Sequence, residues 1–193
     1  VGNDFYSRWL DPTMTYSSAI FGQTGSDLET AQKAKYARIL ERIGGNRGSV
    51  LEIGCGWGGF TEAAVQQGHD VTALTISPRQ HAYATERVGK AADIKLQDYR
   101  KQGGTFSSIV SIEMFEAVGE RYWPTYFQTV RERLTSNGVA VVQTISISEQ
   151  LFPSYRTSSD YIRHHIFPGG MLPSVSRFKQ EAERAGLGVQ DVF

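Results

Sequence analysis

From residue 49 onward, short apolar runs alternate with segments whose apolar positions recur every three to four residues. That alternation is the pattern of βαβ units, in which buried parallel strands read as continuous apolar runs and the crossover helices as amphipathic ones. The expected strands are 49–53 (SVLEI), 70–75 (DVTALT), about 94–97, 108–112 (SIVSI) and 139–144 (VAVVQT). Helices are expected over about 59–67, from Pro78 at a helical first position, over about 120–134 with Asn137-Gly138 as its stop, and near 175–186. Ahead of the sheet, 26–43 reads as a helix with Ser26 or Asp27 as N-cap and Gly44-Gly45 as stop, and the first twenty-five residues are aromatic-rich and irregular. The result is an α/β fold: a mostly parallel, doubly wound sheet flanked by helices.

The alternation pauses for about thirty residues after the fifth strand, longer than an ordinary connection and the length of a lid or binding segment. One domain over 1–193 is expected. It comprises an N-terminal cap and helix (1–48), a ligand-binding core (49–144), a substrate-side insertion (145–174), and a final helix and strand (175–193). The chain starts without Met and ends in an apolar run, 189–193, that reads as the start of a strand, so a piece of a longer protein is expected. The 20 basic and 20 acidic residues cancel, leaving no electrostatic footprint for nucleic acid. Cys55 is the only cysteine, which excludes an intramolecular disulfide and a C-x-x-C site and fits a reducing compartment. No run reaches the length of a spanning helix, and the first residues lack the sections of a signal peptide.

The candidate chemistry begins at Glu52-Ile-Gly54-Cys-Gly56-Trp-Gly58-Gly59, just past the first strand, where a doubly wound fold places its ligand. Gly54, Gly56 and Gly59 fit G-x-G-x-x-G; Glu52, Gly54, Gly56 and Gly58 fit the acidic-x-G-x-G-x-G loop of methyltransferases. A dinucleotide site expects a carboxylate at the end of the second strand, and Thr75-Ile76-Ser77 stands there instead. An acidic residue before the first glycine suits a cofactor with an ammonium end, held directly or through water. Asp98 and Tyr99, directly after the third strand, fit an adenine site: a carboxylate for the exocyclic amine and a ring to stack on the base.

With these residues in place, the runs NDFYSRWLDPTMTYSSAIF, LEIGCGWGGF, TALTISPRQ, SIEMFEAVGERYW and IFPGGMLPS resemble, in order and spacing, the cyclopropane-fatty-acyl-phospholipid synthases, including the mycolic acid cyclopropane synthases. The resemblance spans essentially the whole chain and implies a Rossmann-like class I methyltransferase fold. It also implies methyl transfer from S-adenosyl-L-methionine to a cis double bond in the acyl chain of a phospholipid, giving a cyclopropane or a methyl- or methylene-branched chain. Implied cofactor residues are Tyr16 and Ser17 for the methionine end, Gly54 and Gly56, Thr75, Ile76 and Gln80 for the ribose side, and Tyr99 for adenine. Implied catalytic positions are Glu116, the amide of Ile112, Ser18 where the family commonly has cysteine, and Gln143 where it commonly has histidine. In the family this set holds a bicarbonate that acts as base. Ser and Gln carry donors for a small oxyanion but not the charge of an imidazolium, and the family's tyrosine position falls beyond Phe193. The implied partner is an unsaturated phospholipid met by transient peripheral contact at the cytoplasmic face of the membrane, with no nucleic acid; a homo-oligomer is compatible.

Two other readings stay open: a small-molecule N-methyltransferase in which Glu116 orients an amine, and a cofactor-binding module without catalysis. Glu113 ranks below Glu116 as a pocket carboxylate. His164-His165 point about a hundred degrees apart on a helix and do not chelate together, so no metal is expected. Phe115, Tyr122, Trp123 and Tyr126 read as core before they read as an acyl channel. The apolar residues between 151 and 171 either cover the acyl chain, meet the bilayer or pack on the sheet.

Overall fold

Parallel strands have both faces covered, and the first strand shows why it sits at the centre of this molecule. In β1 (Ser49–Ile53) every residue after Ser49 is buried, and it hydrogen-bonds on one side to β2 (Asp70–Thr75) and on the other to β4 (Phe106–Ile112), both in parallel. β3 (Asp93–Leu96) adds in parallel to β2, and β5 (Leu134–Gln143) lies beyond β4, so the order is β3-β2-β1-β4-β5. The computed structural model describes residues 2–22, 26–44 and 47–193.

Two compact units divide the chain. The first takes in the described residues up to Ile112 together with Leu134–Val141. It holds the sheet up to Val141 of β5, the short α1 (Asn3–Tyr6), α2 (Leu28–Ile43), α3 (Gly59–Gln66) and α4 (Pro78–Val88). Its core joins Tyr36, Ile39, Leu40 and Ile43 of α2 to Val50, Val71, Val110 and Phe60. Asp27 caps α2 by accepting from the Thr30 amide at 2.8 Å, and Ser77 caps α4, whose first residue is Pro78. Gly44 follows α2 with φ +85°; Gly45, the second half of the expected stop, lies outside the described residues.

The second unit comprises Glu113–Arg133 and Val142–Phe193, with α5 (Trp123–Arg133), α6 (Phe152–Thr157) and α7 (Val175–Arg184). Phe115, Trp123, Tyr126, Phe127 and Phe178 form its aromatic core, with Phe115 ring centroids 5.0–5.3 Å from the other four. Phe115, Trp123 and Tyr126 are fully buried, in keeping with the core reading of that stripe, whereas Tyr122 departs from it and is exposed.

Several expected boundaries differ. The helix over 120–134 is a 3-10 turn at 120–122 followed by α5, and Asn137-Gly138 does not stop it but lies inside β5. Gly138 has no left-handed backbone; it is glycine because a Cβ would sit 3.0 Å from the Ser107 carbonyl of the neighbouring strand and 2.9 Å from Leu134. Residues 189–193, expected as a strand, carry no regular structure, and 145–174 holds α6, a π-helical turn at Ile162–Ile166 and one bridge between Ile147 and Ser174.

Candidate functional site

In the first unit the glycine loop leaves β1 with Gly54, Gly56 and Gly58 all at positive φ (86°, 54° and 82°), a conformation that side chains with a Cβ rarely adopt. The amides of Gly54 and Cys55 both donate to the Leu74 carbonyl, at 3.0 and 2.9 Å, which pins the loop across the end of β2. The glycines then differ in purpose. At Gly59 a Cβ would meet the Tyr36 hydroxyl at 2.6 Å and the Thr13 carbonyl at 2.8 Å, so that residue is small for packing. At Gly56 a Cβ would meet nothing within 4 Å, and the backbone borders open space. The loop therefore fits a bound small molecule at Gly56.

The other cofactor candidates lie on neighbouring loops of the same unit. Thr75, at the end of β2, donates to Gln80 Oε1 at 2.9 Å and accepts from the Ser77 amide, leaving the Gln80 amide nitrogen as a donor to a ligand. Ile76 is 78% exposed, an aliphatic surface beside that donor. Tyr99 is half-buried at the start of a 3-10 turn; both carboxylate oxygens of Asp98 are taken by the Arg100 guanidinium. The Arg100 bonds hold Asp98 below the usual carboxylate range, so an adenine amine would share oxygens already bonded to arginine.

Glu52 is not on the surface of the loop. It is 2% exposed, with Thr61 of α3 donating its hydroxyl to it, and burial pushes its carboxyl up to about 7. It is an anchor beneath the loop, and burial raises the Cys55 thiol as well, which makes that cysteine unreactive.

Tyr16 is half-exposed and packs in an aromatic group with Tyr6 and Trp57. Ser17 and Ser18 are held from below by α2: buried Lys35 donates to Ser17 Oγ at 2.7 Å and to the Ser18 carbonyl at 3.0 Å, while Gln32 Nε2 donates to the Thr15 and Ser17 carbonyls. Arg87 of α4 donates to the Thr13 carbonyl at 2.7 Å. Sequence reading passed over Gln32 and Lys35. Their signal is that two long polar residues fall on the apolar face of α2 with Ala31, Tyr36, Ile39 and Leu40.

The second unit holds the carboxylates. Glu116 Oε1 accepts from Thr144 Oγ1 at 2.9 Å and from the Ile145 amide, while Oε2 is buried with no hydrogen-bond partner. Burial is the largest cause of its raised proton affinity, opposed by the Ile145 bond. Glu113 has φ +46° and is bonded twice to Gln143: its amide donates to the Gln143 carbonyl at 2.8 Å, and Gln143 Nε2 donates to Glu113 Oε1 at 2.8 Å. Glu113, Glu116 and Gln143 are thus gathered by the end of β5. Ile112 is the last residue of β4, in the first unit. His164 and His165 sit in the π-helical turn with ring centroids 5.9 Å apart, and among the described residues no three His, Cys, Asp or Glu side chains group as a metal site.

Residues 1–193 match the family model described as mycolic acid cyclopropane synthetase. The chain is 37% identical over 205 residues to the tuberculostearic acid methyltransferase UfaA1 of Mycobacterium tuberculosis, covering 99% of this chain and 48% of that protein. It is 40% identical over 186 residues to the cyclopropane-fatty-acyl-phospholipid synthase of Escherichia coli, covering 95% and 47%. It therefore spans about half the length of these curated relatives. Among solved structures, the mycolic acid cyclopropane synthase CmaA1 complexed with SAH and CTAB superimposes with a TM-score of 0.89 at 29% identity, over 98% of this chain and 72% of that one. The coclaurine N-methyltransferase structure, at TM-score 0.77 and 23% identity over 93% of this chain and 56% of that one, shares the fold.

Proposed function

Because the chain belongs to the mycolic acid cyclopropane synthetase family, we propose that it carries the cofactor-binding core of an enzyme that methylates the cis double bond of an unsaturated acyl chain in a phospholipid, giving a cyclopropane or a methyl- or methylene-branched chain. When bound, S-adenosyl-L-methionine supplies an electrophilic methyl on a sulfonium. Gly54 and Gly56 let the loop backbone approach the cofactor, and Gly58 completes the turn into α3. Gln80, oriented by Thr75, hydrogen-bonds ribose hydroxyls with Ile76 beside it on the ribose side; Asp98 and Tyr99 take the adenine. Tyr16 and Ser17 take the methionine end, with Lys35 and Gln32 fixing the backbone beneath them. Glu52 keeps the loop in register from below and contributes negative charge once ionised.

The observation that carries the choice of substrate chemistry is the buried, unpartnered Oε2 of Glu116. An alkene that accepts a methyl becomes positively charged. A carboxylate fixed through its other oxygen by Thr144 and Ile145 stabilises that charge without reorganising. Catalytic roles for Ser18 and the Ile112 amide belong to the same proposal. So does the use of 49–144 as the cofactor core and 145–174 as the substrate-side segment. No described helix is long and apolar enough to cross a membrane. Leu151, Tyr161, Ile162, Ile166 and Phe167, each more than half exposed, support transient contact of the second unit with the cytoplasmic face of a bilayer, where the acyl substrate resides.

The test is mass spectrometry of cis-unsaturated phospholipid vesicles after incubation with the protein and S-adenosyl-L-methionine. The expected product is one CH2 heavier, and its resistance to hydrogenation distinguishes a cyclopropane from a branched alkene. Glu116→Gln keeps cofactor affinity and lowers product by about 100-fold or more. An unchanged lipid mass with intact cofactor binding would transfer the assignment to a small-molecule methyltransferase or a non-catalytic binder.

A further inference from the structure

Glu113 occupies a backbone conformation that a residue with a Cβ adopts only when its surroundings hold it there. Its φ of +46° is one of two positive values among the non-glycine residues described. What holds it is Gln143, through both main chain and side chain: the Glu113 amide to the Gln143 carbonyl, and Gln143 Nε2 to Glu113 Oε1, each 2.8 Å. The next two residues of the chain, Thr144 and Ile145, hold Glu116. The end of β5 thus orients two carboxylates within one unit, and the strained Glu113 backbone aims one of them at the amide of Gln143.

The resemblance places Gln143 among the donors to a bicarbonate. Tested against these contacts, bicarbonate does not fit: one of the two N–H groups of Gln143 is committed to a carboxylate of its own chain, and an anion on the other would stand beside that like charge. That carboxylate has the planar O–C–O shape, the single negative charge and the proton-accepting oxygens that the bicarbonate would bring.

We propose that the Glu113 carboxylate, held by Gln143, is the built-in base of this site and takes the place of a bound bicarbonate. The inference rests on the alkene-methylation reading above. After the double bond has accepted a methyl, its π pair forms the new C–C bond and the neighbouring carbon is cationic. Charge balance then requires the loss of one proton. A C–H bond of the new methyl breaks, its electron pair closes onto the cationic carbon as the third ring bond, and the proton passes to a Glu113 oxygen and on to water. If a hydride first shifts from the methylated carbon to its neighbour, the cation moves to the methylated carbon, and loss of a proton from the new methyl leaves a C=CH2 methylene branch with no ring. No oxidant or second anion is consumed on either route.

The experiment uses the chain in CO2-free buffer with and without ¹³C-bicarbonate, reading binding by ¹³C NMR and product by lipid mass spectrometry. The wild type is expected to show no saturable bicarbonate binding and the same product yield, within about twofold, in both buffers. Glu113→Gly suits the positive φ and opens space. It should keep S-adenosyl-L-methionine affinity, lose about 100-fold or more of product, bind bicarbonate and regain product with added bicarbonate or formate. Glu113→Gln fills that space with an amide and should be inactive without rescue. Saturable bicarbonate binding by the wild type, product formation that depends on it, or a Glu113→Gly variant that stays active or resists rescue by both anions would each overturn the proposal. If the wild type makes no methylated lipid, the alkene reading fails by itself. The binding arm still decides the inference: bicarbonate must be refused by the wild type and accepted by Glu113→Gly.

Discussion

Glu52 carries the residue-scale argument, because its carboxyl group lies in the middle of a parallel sheet, opposite Ala73 on one strand and Val110 on the other. With its carboxyl raised from 4.5 to about 7, the folded chain holds a proton that the unfolded chain releases. The sign follows: the stabilisation is present in full below about pH 4.5, declines as pH rises toward 7, and is lost above it. Glu52→Gln keeps an acceptor for Thr61 and removes the titration. At pH 8 the variant should be more stable than the wild type by about 1–3 kcal/mol, and at pH 4.5 nearly equal to it. Urea midpoints at the two pH values check this, and equal differences at both would reject it. Motif spacing singled out Glu52, yet its depth was illegible. A glutamate within an apolar run reads the same whether it opens onto a ligand or lies under a loop, and the position of Thr61 on α3 decides between them.

At the scale of elements, α2 serves the loop that follows the N-terminal helix as well as the sheet. Lys35 is 2% exposed, and its ammonium is spent on Ser17 and Ser18. Lys35→Met keeps the length of the side chain and deletes the donors to Ser17 Oγ and the Ser18 carbonyl. The expected result is faster hydrogen exchange at residues 15–18 and S-adenosyl-L-methionine affinity lower by about 5- to 30-fold, from the roughly 1–2 kcal/mol that such hydrogen bonds contribute. Unchanged exchange and affinity would show that the segment stands without α2. The same scale explains the Asn137-Gly138 misreading. The dipeptide is a turn signal by composition, but the Ser107 backbone beside it leaves no room for a Cβ in β5. Strand neighbours are non-local, so composition had no access to that reason.

For the whole molecule, cofactor binding should appear as stability. At a concentration of 100 Kd a ligand adds about 2.7 kcal/mol, which for a chain of this size is roughly 5–10 °C in Tm. S-adenosyl-L-methionine should raise Tm by that amount in the wild type. In Gly56→Ala the shift should fall below about 2 °C, since the added methyl enters the open space at the loop. A full shift in the variant would place the cofactor elsewhere.

The order of strands and helices was determined by the sequence alone, because each buried strand needs an apolar run and each crossover helix an apolar stripe, and both are local patterns. The loop glycines were legible for the same reason: a positive φ selects glycine at the position itself. Family motifs further identified Glu116 and Gln143, but not their contacts. Tertiary structure alone decided that Gln143 binds Glu113, that Glu116 keeps one buried oxygen unpartnered, that Lys35 is buried beneath Ser17, and that residues 189–193 form no strand. Each of these depends on groups far apart in the chain meeting or failing to meet, and hydrogen bonds and burial across such separations leave no periodic trace in the sequence.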